Sequence, residues 1–314
     1  MADSGKPAIG FIGVGHMGHG MASCLLRDGY PLWVRGHRNR APVDDLVARG
    51  ATEAESPRAM AEECEIVHLC LPNSQSVEAV VRGEDGLMAA GRKGLIVVDT
   101  TTADPASTEA LAAELEAQGM YMVDAPLGRT PKEAAEGTLD AMVGAAPEVF
   151  DRIRPVLESW AGTVAHLGPV GSAHKMKLVM NFIGMGYAAL YSEALTMAAR
   201  AGVAPQTVRR VIGGSRMGCG FFETFMAGAV GREAEAHKFT LANAMKDVRY
   251  GAQMAQGSGV ANPMGAAMLS YYTMAVGQGH GAAYVPTLAD HVAGFSGVDL
   301  AGEIEKGARD ADRG

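Results

Sequence analysis

A chain of 314 residues is long enough for two domains, or one large one, with an ample buried core. Hydrophobic residues make up 48% and charged residues 20%, which excludes the disordered regime. The formal net charge of −8 leaves no basic excess for a phosphate backbone, which argues against a nucleic-acid partner. Cys24, Cys64, Cys70 and Cys219 show neither CxxC nor Cys/His ligand spacing. They read as reduced, mostly buried thiols, with neither a metal site nor a disulfide framework expected. No uninterrupted apolar run reaches the ~18 residues of a membrane span. The first residues lack the apolar region and cleavage site of a secretory signal, so the expected location is cytoplasmic, with no membrane partner.

In chain order, apolar strand signals fall at residues 8–12, 32–35, 66–70, 95–98, 121–123 and 139–143. Amphipathic helical patterns separate several of them, as at residues 103–118, which Gly119 stops. Such alternation implies an α/β fold, a doubly wound and mostly parallel sheet covered on both faces. After about Pro169 the strand signals nearly vanish and the chain turns rich in Met, Ala and Gly. Residues 172–201 form one proline-free helical run ending at Gly202, read as a helix linking two domains. Further helices are expected at residues 205–213, 239–256 and 263–278, and the charged tail 302–314 reads as solvated or frayed. The expected division is residues 1–169 as a nucleotide-binding domain and residues 170–314 as an all-helical domain for substrate and oligomerisation.

The first strand runs directly into Gly13-Val14-Gly15-His16-Met17-Gly18, a GxGxxG that opens a helix. Gly13 permits the tight turn, Gly15 lets the backbone approach a pyrophosphate, and Gly18 lets helix and strand pack closely. Backbone N–H groups at the helix start then hold the phosphate charge. This strand–loop–helix context points to a Rossmann dinucleotide site. At the end of the second strand an NAD enzyme usually places an acid for the ribose 2′-OH. Here Arg35-Gly36-His37-Arg38-Asn39-Arg40 stands in its place, with no acid before Asp44. Basic side chains neutralise a 2′-phosphate, so NADP(H) is the expected cofactor, NAD(H) remaining possible, with Arg35, His37 and Arg38 as contacts.

The series continues through Leu71-Pro72-Asn73, Asp99-Thr100-Thr101-Thr102, Asp124-Ala125-Pro126, Gly137-Thr138-Leu139, Lys177-Leu178-Val179-Met180-Asn181 and Lys246-Asp247. In this order the motifs resemble the β-hydroxyacid dehydrogenases, of the 3-hydroxyisobutyrate dehydrogenase and tartronate semialdehyde reductase type. The resemblance implies a Rossmann domain, an all-helical second domain, and a homodimer or homotetramer. It also implies that Lys177 is the general acid/base and that Asn181 assists it. Leu71 and Thr102 would border the nicotinamide ribose, Pro72 would join the cofactor contacts, and Lys246 would reach cofactor or substrate. Residues i and i+4 of a helix lie one above the other, so Lys177 and Asn181 can address one substrate oxygen. On the residues alone Lys175 could serve equally; only the resemblance selects Lys177.

Many members of that family place Ser-Gly-Gly after the Asp-Ala-Pro, whereas this chain has Leu127-Gly128-Arg129-Thr130-Pro131-Lys132-Glu133. Thr130, Pro131 and Glu133 form a helix start with a capping box, so Arg129 is expected beside a helix N-terminus as a charge for a substrate anion. The Gly-Arg-Thr loop resembles that of sulfolactaldehyde reductases, but an Asn-Asn pair common after the catalytic lysine is Met180-Asn181 here. The expected activity interconverts a small anionic semialdehyde and its hydroxy acid, with Leu127, Gly128, Arg129, Thr130, Asn181 and Lys246 on the substrate. The alternatives are a sulfolactaldehyde reductase proper, an imine reductase-like enzyme, which usually lacks the lysine, and a non-catalytic nucleotide sensor.

Overall fold

The computed structural model describes residues 5–311 and divides into two compact units that part between Lys177 and Leu178. The first unit opens with β1 (Ile9–Ile12), α1 (His16–Arg27), β2 (Leu32–Arg35), α2 (Ala41–Ala48), β3 (Thr52–Glu53), α3 (Pro57–Glu63), β4 (Ile66–Leu69) and α4 (Ser74–Arg82). It continues with β5 (Ile96–Asp99), α5 (Pro105–Glu116), β6 (Tyr121–Asp124), β7 (Leu127–Gly128), α6 (Pro131–Glu136), β8 (Leu139–Gly144), α7 (Pro147–Leu157) and β9 (Ala161–Gly168). Helix starts follow their caps. Ser56, Asn73 and Asp104 accept from the backbone N–H of Ala59, Ser76 and Ala106, and proline opens α3 and α5.

The strands form one sheet in the order β3-β2-β1-β4-β5-β6-β8-β7, with β9 against β8. Pairing is parallel from β3 to β6 and between β8 and β9; β8 runs antiparallel to β6 and β7. Side chains of β5 alternate between two cores. Ile96 and Val98 join Phe11, Leu25 and Trp160 on one face, while Val97 joins Met60, Val81 and Leu111 on the other. Burial on both faces explains why β1, β4 and β5 read as mostly apolar runs without polar alternation, His68 in β4 being itself buried. The chain leaves β1 toward β2 and β3, then returns to β4 on the other side of β1. That reversal is the topological switch point, where a parallel sheet opens a crevice at its carboxyl ends.

All six strands expected from sequence form, within one or two residues. β3, β7 and β9 were not expected: β3 and β7 have two residues each, and β9 is a half-exposed edge strand without an apolar run. α8 (Ser172–Arg200) is a single helix across the division between the units. The second unit adds α9 (Pro205–Gly213), α10 (Gly220–Ala229), α11 (Leu241–Gly257), α12 (Pro263–Ala275), α13 (Leu288–Phe295) and α14 (Leu300–Ala311) around a separate core that includes Leu195, Phe222, Phe225 and Tyr272. The tail corrects the sequence reading. Leu300 and Ile304, one helical turn apart, are 2% and 8% exposed, and that buried edge makes residues 300–311 a helix. Residues 312–314 lie outside the described residues. Among the described residues no helix is long and apolar enough to cross a membrane.

Candidate active site

Four of the segments singled out in the sequence emerge at the carboxyl ends of the adjacent strands β1, β4, β5 and β6. At β1 the three glycines divide their work. A Cβ on Gly13 (φ +95°) would lie 2.3 Å from the Cys70 carbonyl oxygen, and one on Gly18 would lie 2.0 Å from that of Gly13. Gly13 and Gly18 are therefore demanded by the protein's own packing. A Cβ on Gly15 would meet nothing within 4 Å, so the protein's own packing does not demand this glycine and the space beside it is open. Gly15 is the N-cap of α1 with no side-chain cap, and the first turn carries no acid. This is a cradle that fits a pyrophosphate. Val14 is 3% exposed and packs into the core, so only its backbone can serve the ligand, while His16 is exposed and Met17 half-buried.

Leu71 borders the same loop, its Cδ2 lying 3.1 Å from the position of a Cβ on Gly13. Its N–H donates to Thr101 Oγ1 at 3.0 Å, tying the segment after β4 to the one after β5. Pro72 next to it is exposed, and Thr102 is half-buried.

At and beyond the end of β2 the arginines separate. Arg35 Nη1 donates to the carbonyl oxygens of Ala54 (2.9 Å) and Glu55; these acceptors fix it without cancelling its charge. Arg40 is neutralised, with Nη1 and Nη2 on Glu53 at 2.5 and 2.9 Å and Nη2 on Asp44 at 3.0 Å. The Arg40 guanidinium holds the Glu53 carboxyl below its ordinary range. Glu53 arrives by strand pairing, being the register partner of Val34. His37 and Arg38 stand exposed at the tip.

At the end of β6, Asp124 is 0% exposed. Its two oxygens accept from the backbone N–H of Gly171 and His174, each at 2.7 Å, which fixes the start of α8. Three residues past Asp124 the Leu127 carbonyl accepts from Lys177 Nζ at 2.8 Å. Lys177 is half-buried, whereas Lys175 is exposed and paired to Glu109 at 2.5 Å. The structure thus separates two lysines that the residues alone left equal.

Gly128 is half-buried beside Asp140, which a Cβ on it would approach to 3.3 Å. Arg129 follows with φ +77°, a left-handed conformation that costs a non-glycine residue about 1–3 kcal/mol. Its Nε donates to Asp140 Oδ2 at 2.9 Å, both side chains being about half exposed at 49% and 43%. Thr130 caps α6 as expected, through a capping box with Glu133. That box engages donors the sequence reading offered to an anion: Thr130 N–H on Glu133 and Lys132 N–H on Thr130 Oγ1. With α6 only six residues long, the charge for an anion falls to Arg129.

In the second unit, Asn181 Nδ2 donates to Asp247 Oδ2 at 2.6 Å. A carboxylate accepts only, so the amide nitrogen must face it, and the Asn181 carbonyl oxygen points elsewhere. Asp247 is 1% exposed; Lys246 Nζ lies 3.1 Å from its Oδ1 and 5.4 Å from the centre of the Tyr250 ring.

The signature described as the NAD binding domain of 6-phosphogluconate dehydrogenase matches residues 8–168. That described as NAD-binding of NADP-dependent 3-hydroxyisobutyrate dehydrogenase matches residues 171–290. The chain belongs to the β-hydroxyacid dehydrogenase family. It is similar to 3-sulfolactaldehyde reductase of Escherichia coli K12, at 32% identity over 87% of this chain and 92% of that protein. It is equally similar to an NAD-dependent L-serine dehydrogenase of Pseudomonas aeruginosa, at 32% identity over 87% and 93%. The solved structure of Mycobacterium tuberculosis 3-hydroxyisobutyrate dehydrogenase with L-serine shares the fold. Its TM-score is 0.81 at 24% identity, covering 90% of this chain and 98% of that one. This β-hydroxyacid dehydrogenase is accordingly an NAD(P)-dependent oxidoreductase of hydroxy acids and semialdehydes.

Four carboxylates that hold side chains or backbone singled out in the sequence carried no expected role of their own. Asp124 and Asp247 were visible as parts of motifs, yet nothing local says that one caps α8 and the other turns the Asn181 amide. Glu53 and Asp140 carried no signal, because each is brought to its arginine by strand pairing, β3 on β2 and β8 on β7.

Proposed function

We propose that this dehydrogenase interconverts a small anionic semialdehyde and its hydroxy acid, with NADP(H) preferred, Lys177 as proton donor and acceptor, and Arg129 on the substrate anion. The observation that carries the reading is the 2.8 Å bond from Lys177 Nζ to the Leu127 carbonyl, two residues from Arg129. It puts a fixed ammonium and a fixed guanidinium on one short stretch of backbone. When bound, the nicotinamide supplies the hydride in reduction and takes it up in oxidation. Lys177 gives a proton to the substrate oxygen in reduction and, as the neutral amine, recovers it in oxidation. Asn181, its amide nitrogen held by Asp247, offers its carbonyl oxygen to a substrate hydroxyl. With Arg129 Nε on Asp140, the two Nη groups remain to grip a carboxylate or a sulfonate end-on. The sulfonate reading draws support from this arginine and from the relative that acts on sulfolactaldehyde. Steady-state screening of carboxylate and sulfonate semialdehydes with both cofactors tests the proposal; absence of turnover across the panel would favour a nucleotide sensor.

The cofactor preference rests on Arg35 and Arg38, since Glu53 already neutralises Arg40. Arg38→Ala is expected to weaken NADPH by about ten- to a hundred-fold and to leave NADH nearly unchanged. Glu53→Gln should leave Arg40 only its exposed pair with Asp44 and shift preference further toward NADPH. Fluorescence titration of both cofactors decides the matter, and an unmodified protein that binds NADH more tightly refutes it.

An apolar stripe on α8, formed by Met176, Met180, Ile183, Tyr187 and Leu190, is 41–56% exposed. Its helical spacing supports a homodimer or homotetramer built on this helix. Sedimentation should give a multiple of the 32.6 kDa chain mass, and Ile183→Asp should shift it toward the monomer.

A further inference from the structure

We propose that Gly20 and Cys24 of α1 are positioning residues for the substrate-anion loop, because the stripe they form is the seat on which α6 rests. The inference depends on Arg129 being the anion-binding group. Gly20 is buried, and a Cβ there would lie 2.6 Å from the Ala134 carbonyl carbon, 2.7 Å from the Ala135 nitrogen and 2.9 Å from Ala134 Cβ. The first two are backbone atoms of α6, which cannot swing aside as a side-chain tip would. Ala134 is itself 0% exposed, so the two helices meet backbone against backbone. One turn further along α1, Cys24 Sγ donates weakly to the carbonyls of Ala134 at 3.5 Å and Ala135 at 3.7 Å. Burial pushes the Cys24 thiol up from its ordinary range, which keeps it a protonated donor. Gly137, at φ +75°, closes α6 against the same stripe; a Cβ on it would lie 3.4 Å from Cys24 Sγ and 3.3 Å from Arg27 Nη2. Gly20, Cys24 and Arg27 follow the i, i+4, i+7 spacing of one helix face.

Six residues are too few for a helix to hold its place alone. The seat on α1 therefore decides where α6 lies, and the capping box of Thr130 passes that position directly to Arg129. Arg129 keeps its left-handed backbone because the chain is held on both sides, by Asp140 through its side chain and by α1 through α6. One rigid helix thus serves two purposes. Its first turn forms the phosphate cradle, and its following turns support the loop that receives the substrate's charge.

A methyl group at position 20 must lift α6, and misplacement of a binding group by about 1 Å costs up to ~10²-fold in rate. Gly20→Ala in the full-length enzyme is expected to raise KM for an anionic aldehyde at least tenfold. The kcat/KM for a neutral aldehyde of matched size and the Kd for the cofactor should move less than about threefold. Combined with Arg129→Ala, Gly20→Ala should add no further loss on the anionic substrate, as expected of residues acting through one group. Cys24→Ala, which removes the thiol without a clash, should shift the charged-to-neutral ratio in the same direction by a smaller factor, and it carries the test if Gly20→Ala does not fold. Equal losses on both aldehydes, a cofactor Kd that moves with KM, or an unchanged ratio would overturn the inference. If Arg129→Ala alone leaves the ratio unchanged, it is the anion reading that fails. If Arg129→Ala shifts the ratio and the α1 variants do not, only the coupling through α1 fails.

Discussion

Lys177→Ala is expected to lower kcat by about 10²–10⁴-fold, the usual contribution of a positioned acid/base group. Cofactor affinity should stay nearly intact, since the phosphate cradle draws on the β1–α1 loop and not on α8. Lys175→Ala is the matched control. That side chain is exposed and occupied by Glu109, so its loss removes an ordinary surface pair and should change turnover little. The comparison is sharp because the two lysines share a helix and differ by two positions. Lys177 lies on the face that meets the Leu127 carbonyl, and the intervening geometry is fixed at both ends by Asp124 and the start of α8. Pre-steady-state reduction of an aldehyde, followed by NADPH absorbance, reads the chemical step directly. Equal losses from both substitutions, or near-normal turnover by Lys177→Ala, would remove Lys177 from the chemistry.

Arg129→Ala should damage activity on anionic semialdehydes severely and barely change it on neutral aldehydes of similar size. An anion held away from the reacting carbonyl also aligns that carbonyl, so kcat should fall along with a rise in KM. The competing role is visible in the structure: Arg129 already pairs with Asp140. Exposed pairs of this kind contribute little to stability and remain open to a second anion. Asp140 uses only one edge of the guanidinium, which leaves the planar fork available. The measurement is kcat/KM for a charged and a neutral substrate in both proteins. If the substitution lowers both by the same factor, Arg129 holds the loop and not the substrate. A sulfonate and a carboxylate of equal length, compared in the unmodified enzyme, then separate the two substrate classes that the guanidinium could serve.

What could be read from the sequence was what the backbone settles over a few residues. The mostly apolar runs of β1, β4 and β5, the glycine loop before α1, the capping box at Thr130 and the long helix that stops short of Gly202 each follow from local periodicity, turn chemistry or end-capping. The family, too, was legible, because its motifs are short runs of residues that recur in a fixed order along the chain. The tertiary structure alone decided which charged groups remain available. Three arginines lie at or just after the end of β2, yet only strand pairing revealed that Glu53 cancels Arg40 and leaves Arg35 and Arg38 positive. Arg129 could be placed beside a helix start, but not beside Asp140, eleven residues away on another strand. Asn181 could be assigned to a helix face, but the side of its amide that stays open depends on Asp247, sixty-six residues further along. A charge's partner is set by which chain segments the packed fold brings within about 3 Å, and no local period encodes that distance. The same reason explains the tail. Residues 302–314 look polar in isolation, and α14 forms because Leu300 and Ile304 find a core that only the folded second unit supplies.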